Sequence, residues 1–164
     1  MPVADIASSD ERDACESRIE AWAARRLAEA GPLVAVDRQS AQRRWYLRLA
    51  GEEKQFITVW LSVRQRTLHH EAQVMPAPEV DPCRTYQYLL RRNAELHQMH
   101  LALGVEDAVV LVGEVPVGAV DDDELDRILG ASLVYVDEVF PTAMSLGFAG
   151  LYRRRSPPPA RRHR

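Results

Sequence analysis

Between positions 56 and 99 the chain alternates apolar with polar residues, breaks at a pair of prolines, and resumes with helical spacing. No other stretch restricts the fold as much. Phe56-Ile57-Thr58-Val59-Trp60-Leu61 and Leu68-His69-His70-Glu71-Ala72-Gln73-Val74 are rich in β-branched and aromatic residues and are joined by the polar Arg64-Gln65-Arg66. That pattern predicts two neighbouring strands. Met75-Pro76-Ala77-Pro78 ends it, because proline cannot donate to a ladder. Asp81-Pro82 then caps a helix on which Tyr86, Leu89, Leu90, Asn93 and Leu96 recur at helical spacing.

The chain before this stretch opens on another helix. Ser8 with Glu11 fits a capping box, and Cys15, Ile19, Trp22, Ala23 and Leu27 form one apolar stripe that Gly31-Pro32 ends. Arg18, Glu20, Arg25 and Glu29 form the solvated side. Strand-like segments follow at 33–36, 44–49, 55–63 and 67–74, with Ala50-Gly51-Glu52-Glu53 as a hairpin turn. Such short connections predict antiparallel pairing. Trp45, Leu47 and Leu49 share one side of their strand and Tyr46 and Arg48 the other, the pattern of a sheet covered by helices on one face. On this pattern Trp60 is expected inward or under the helix cover, with an exposed binding face as the alternative.

Beyond the second helix, 101–103 and 108–112 predict a hairpin that turns at Gly104 and Glu106-Asp107, and 113–118 a connector. Asp121 with Glu124 opens the last helix, where Asp122 and Asp123 also suit the positive end of the helix dipole. Capping, and not metal binding, is the expected role of this acidic run, since successive helical residues point in different directions. Leu125, Ile128, Leu129, Val136, Val139 and Phe140 make the buried stripe, and Pro141 predicts a kink or restart.

A chain of 164 residues, 46% hydrophobic and 27% charged, can bury one core. Its net charge of -3 lacks the basic field of a protein that wraps nucleic acid with its whole surface. Its apolar runs are too short and too often interrupted to span a bilayer, and the first residues lack a signal-peptide pattern, so a cytoplasmic location is expected. Cys15 and Cys83 have no CxxC partner and are expected as two reduced thiols. Residues 1–7 and the arginine- and proline-rich 153–164 are expected to be disordered, leaving 8–152 as a single domain.

Few residues offer chemistry. His69-His70-Glu71 with His97 and His100 supplies the right ligand types for zinc, but strand parity sends His70 away from His69 and Glu71. Structural or surface histidines are expected, with no metal and no cofactor. Gly113-Glu114-Val115-Pro116-Val117-Gly118 lacks the spacing and the Lys-Ser/Thr end of a phosphate loop, and no serine or cysteine sits in a glycine elbow. The arginines at 153–155, 161, 162 and 164 could meet phosphate or an acidic protein, but a merely solvated tail is the expected reading. Asn93, polar on an apolar stripe, is expected to bond a backbone group where the helix meets the sheet. Trp22, Trp45 and Trp60 are many large side chains for one helix and two strands to hide. Together with Asn93 they are the candidate partner-binding residues, core packing being the alternative for each tryptophan.

The ordered series Trp45-Tyr46-Leu47-Arg48-Leu49, Leu68 onward to Met75-Pro76-Ala77-Pro78, Tyr88-Leu89-Leu90-Arg91-Arg92-Asn93-Ala94, Leu111-Val112-Gly113-Glu114, Leu125-Asp126-Arg127-Ile128-Leu129-Gly130 and Phe140-Pro141 resembles the YbjN domain family over roughly residues 10–150. These are bacterial proteins often labelled sensory transduction regulators, with a fold similar to type III secretion chaperones. The resemblance implies an α+β domain with an antiparallel sheet, helices packed on one face, and a homodimer; it carries over no catalytic residue. The expected function is non-enzymatic binding of a protein or peptide, chaperone-like or regulatory. The alternatives are a small-ligand or metal-dependent enzyme built on the histidines and a nucleic-acid regulator acting through the arginine tail.

Overall fold

The computed structural model describes residues 6–154; the disorder expected for 1–7 and 153–164 therefore falls largely on residues outside the described range. Helix α1 (Ser9–Ala28) starts where the capping box places it. Ser8 Oγ accepts the Glu11 amide at 3.1 Å, and the Glu11 carboxylate accepts the Ser8 amide at 2.7 Å. Four strands follow: β1 (Leu33–Gln39), β2 (Arg44–Ala50), β3 (Phe56–Val63) and β4 (Thr67–Met75). Helix α2 (Pro82–Asn93) comes next, then β5 (His100–Leu103), β6 (Val109–Pro116) and α3 (Asp122–Gly147).

The six strands form one antiparallel sheet in the order β1-β2-β3-β4-β6-β5. The first four strands form a meander. The chain then crosses through α2 to the far edge, lays down β5, and returns with β6 to fill the gap beside β4. Helices α1 and α3 cover one face, and α2 packs against α3 and β5. The inward rows Trp45, Leu47, Leu49 and Ile57, Val59, Leu61 are buried with Ile19 and Trp22 of α1 and Leu125, Ile128, Val136 and Val139 of α3. This is the α+β architecture with helices on one face.

Pairing carries some elements past their apolar patterns. Strand β1 continues through the polar Asp37-Arg38-Gln39 because Gln39 pairs with Arg44 across a turn in which Arg43 adopts φ 49. The expected connector at 113–118 is instead strand as far as Pro116, since β6 pairs with β4 from Val109 to Pro116. Gly113 sits mid-strand for a steric reason: a Cβ there would overlap the His70 imidazole and the Gln98 carbonyl. Proline stands at the last strand position, where its missing donor costs least.

Helix α3 passes through Pro141 without restarting. Packing outweighs the lost hydrogen bond, because Val139, Ala143 and Gly147 stay buried on either side of it. The Gly147 carbonyl accepts the Glu79 and Val80 amides at 2.9 and 2.8 Å, tying the proline break to the helix end. Helix α2 stops at Asn93, so Leu96 lies beyond it, and Leu90, expected on the buried stripe, is 69% exposed.

Trp60 also differs from its expected place. It pairs with Tyr46 and Glu71, residues of the face that no helix covers, while its neighbours Val59 and Leu61 point inward. An eight-residue strand has only two sides, and the buried set Ile57, Val59, Leu61 and Val63 claims the other one.

Candidate functional site

The four candidate partner-binding residues separate into three environments. Trp22 and Trp45 are each 1% exposed in the core between α1 and the sheet. Trp22 Nε1 donates to the Asp126 carboxylate at 2.8 Å, and the Arg38 guanidinium lies over the Trp45 ring. In this conformation both rings are packed in the core. Trp60 is half-buried on the open face, where Tyr46 meets it edge-on at 6.1 Å. Asn93 joins helix to sheet: its Nδ2 donates to the Leu101 carbonyl at 3.1 Å and its Oδ1 accepts the Leu101 amide at 2.7 Å. The side-chain amide takes the place a further strand would have on the outer edge of β5, satisfying two backbone groups an edge leaves open.

That anchor holds α2 against β5 and leaves an apolar groove of about 300 Å³ between them, lined by Tyr86, Leu89, Leu90, Asn93, Leu101, Ala102 and Leu103. Among the described residues no charged side chain lines it. Leu90 and Leu103, at 69% and 49% exposure, form its walls, and Val105 stands in solvent just beyond. The sequence hid this surface because Leu90 shares the helical spacing of the truly buried Leu89, and only the docking angle of α2 tells them apart.

The histidines do not converge. His70 points into the core, fully buried, with neither ring nitrogen hydrogen-bonded within the structure. Burial, with the charges of Arg127 and His69 behind it, pushes its imidazole down to about 4. His69 and Glu71 face the other way, with His69 lying 3.5 Å from Glu71 and 3.4 Å from Glu114. His97 and His100 are exposed. Among the described residues no group of three or more His, Cys, Asp or Glu side chains could hold a metal ion. Cys15 is buried, with its thiol pushed up to about 11 by burial, and Cys83 is exposed.

The lone lysine has a structural place that its sequence context did not suggest. Lys54 Nζ donates to the carbonyls of Gln73 and Val74 at 2.5 and 3.0 Å, where the β4–β6 register shifts. The Asp137 carboxylate of α3 accepts the amides of Glu52, Glu53 and Lys54 at 2.8 to 3.1 Å. The β2–β3 turn is thereby tied to both the bulge and the helix. Burial pushes the Lys54 ammonium down to about 8 against the opposing charge of Asp137. Among the described residues no helix is long and apolar enough to cross a membrane.

Comparisons with known proteins agree with this architecture. The model of the YbjN family, described as "Putative bacterial sensory transduction regulator", matches residues 17–143. Uncharacterized proteins of Mycobacterium bovis and Mycobacterium tuberculosis are 38% identical over 106 residues, 65% of this chain. The match spans 58% of those relatives' own length. In structure the chain is similar to the Yersinia pestis type III secretion chaperone SycH, solved in complex with a fragment of YscM2, with a TM-score of 0.51 and 14% identity over 76% of this chain and 98% of that one. It is also similar to a chain of the ExsC–ExsE complex, with a TM-score of 0.54 and 16% identity over 77% and 96%. At these identities the likeness is one of fold.

Proposed function

The chain belongs to the YbjN family, and on that premise we propose that it is a non-enzymatic protein-binding domain, chaperone-like or regulatory, that acts as a homodimer in the cytoplasm. The observation that carries the reading is the uncharged α2–β5 groove with Leu90 and Leu103 at its walls. Groove and walls belong to one patch, so a two-fold axis through it sets the leucines of each copy into the groove of the other. The lining brings no like charges together. Asn93 already occupies the Leu101 edge groups, so the copies meet through side chains there and not by adding strands.

Binding of another protein is supported by the neighbours, since SycH was solved with a fragment of YscM2 and the other similar chain comes from the ExsC–ExsE complex. The absence of turnover is supported by the split histidines, which place His70 and the His69–Glu71 pair on opposite faces of the sheet. Light scattering on the full chain at micromolar concentration tests the dimer. The wild type is expected at twice the monomer mass, and Leu90→Glu with Leu103→Glu at the monomer mass with an unchanged circular dichroism spectrum. A monomeric wild type overturns the assembly.

A further inference from the structure

The open face of the sheet holds a second concavity, of about 470 Å³, unlike the α2–β5 groove in chemistry. Trp60 and Tyr46 line it; Glu71 lies directly across the register from Trp60, and Glu106 of the β5–β6 turn is a further lining residue. That turn is strained, with Glu106 and Asp107 both at φ 56, the left-handed backbone region that residues with side chains rarely adopt. Strain of this kind persists where the surrounding structure imposes it, and it clusters at binding sites.

The local groups leave a specific vacancy. The rings of Trp45, Phe56 and Phe140 each carry a cation, from Arg38, Arg48 and Lys54, whereas Trp60 carries none among the described residues. Among the described residues the Glu71 carboxylate has the His69 imidazole as its polar side-chain partner, at 3.5 Å, and none pairs with Glu106. The arginines at the other end are partly committed: Arg64 to Glu114 at 3.1 Å, and Arg44 Nε to Ser62 at 3.0 Å. An indole face beside two carboxylates with spare acceptors suits a planar cation, which stacks on the ring and pairs with the oxygens at once. Arg44 and Arg64 at the other end offer donors to an acceptor that accompanies the cation.

We infer that this concavity takes a single arginine side chain presented by a partner protein, with Trp60, Glu71 and Glu106 holding the guanidinium and Arg44 meeting a backbone carbonyl beside it. The inference rests on the protein-binding reading but not on the dimer groove, so the two fail separately.

The test is nuclear magnetic resonance of the full, uniformly nitrogen-15-labelled chain titrated with the tripeptide Ac-Ala-Arg-Ala-NH2 and with its neutral citrulline counterpart. The expected result is saturable shifts at the Trp60 indole and the Glu71 and Glu106 amides with the arginine peptide, and none with citrulline. Glu71→Gln and Glu106→Gln, both at solvent-accessible positions, should each weaken binding about fivefold. An equal response to citrulline, failure to saturate at millimolar peptide, or shifts centred on Leu90 and Leu103 would each overturn the site. Binding that emerges only after Arg161, Arg162 and Arg164 are changed to Gln would assign the site to the chain's own tail and overturn the partner reading.

Discussion

Trp45 and Trp60 lie on adjacent strands one register step apart, and they occupy opposite environments. Trp45 pairs with Leu61, faces α1 and is 1% exposed; Trp60 pairs with Tyr46, faces none of the described helices and is half-buried. Both were available to the same apolar pattern. The difference shows that in a one-sided sheet parity decides whether a large aromatic stabilises the fold or remains free to bind. The same split runs through His70 and Glu71 on β4, one sealed against Gly113 and the other open to solvent.

The largest effect that can break this comparison is a truncation on each side. Trp45→Ala should cost about 3–5 kcal/mol of stability in urea denaturation, the range for emptying a buried aromatic site. Trp60→Ala should cost about 1 kcal/mol. Equal losses would mean that the open face is covered in solution.

Next in size is the acid response of the covered face. The folded value of His70, about 4, lies below the ordinary 6.5 because of burial. Between those values the unfolded chain takes up a proton that the folded chain refuses. Stability therefore falls as pH drops from 6.5 toward 4, by up to about 3 kcal/mol. Glu11, Glu53 and Asp126, whose carboxyls are also held down by hydrogen bonds, add their own loss at lower pH. Urea midpoints of His70→Leu against wild type across this range isolate the imidazole, and a parallel pair of curves would remove it as the cause.

A smaller change sharpens the contrast between the two sheet edges. Asn93→Ala frees the amide and carbonyl of Leu101, with an expected loss of about 1–2 kcal/mol and faster hydrogen exchange at the Leu101 amide. The amides of β1, at the opposite edge of the sheet, should exchange at their wild-type rate. The smallest effect belongs to the exposed Arg64–Glu114 pair, with side chains 53% and 49% exposed. Arg64→Ala is expected to shift stability by less than about 0.5 kcal/mol, and a loss beyond 1 kcal/mol would show that the open face carries more of the fold than its exposure implies.

Local signals made much of this legible in advance. The Ser8–Glu11 box, the Asp81-Pro82 and Asp121 caps, and the inward row of β2 all lie where spacing placed them, because a cap or an alternation is satisfied by residues within a few positions of each other. Asn93 was legible as a polar residue that must find backbone partners, and it found them on β5. The binding surfaces were less so. Leu90 and Leu89 are equivalent to a periodicity argument, and Glu106 is an ordinary turn residue until the fold sets it in the same concavity as Trp60.

By itself, then, the chain determined where its three helices start, the one-sided character of the sheet and the separation of His69 from His70, since each follows from interactions between near neighbours or from a period of two. Tertiary structure decided which face Trp60 joined, how far β1 and β6 extend, why glycine stands at 113, why α3 survives Pro141, and where the lone lysine is spent. Each of these depends on groups brought together from distant positions: Gly113 against His70 and Gln98, Lys54 against the carbonyls of Gln73 and Val74, Gly147 against Pro78. Such contacts leave no periodic mark in sequence, because the energy that selects them is packing and hydrogen bonding across the fold and not the local preference of the residues themselves.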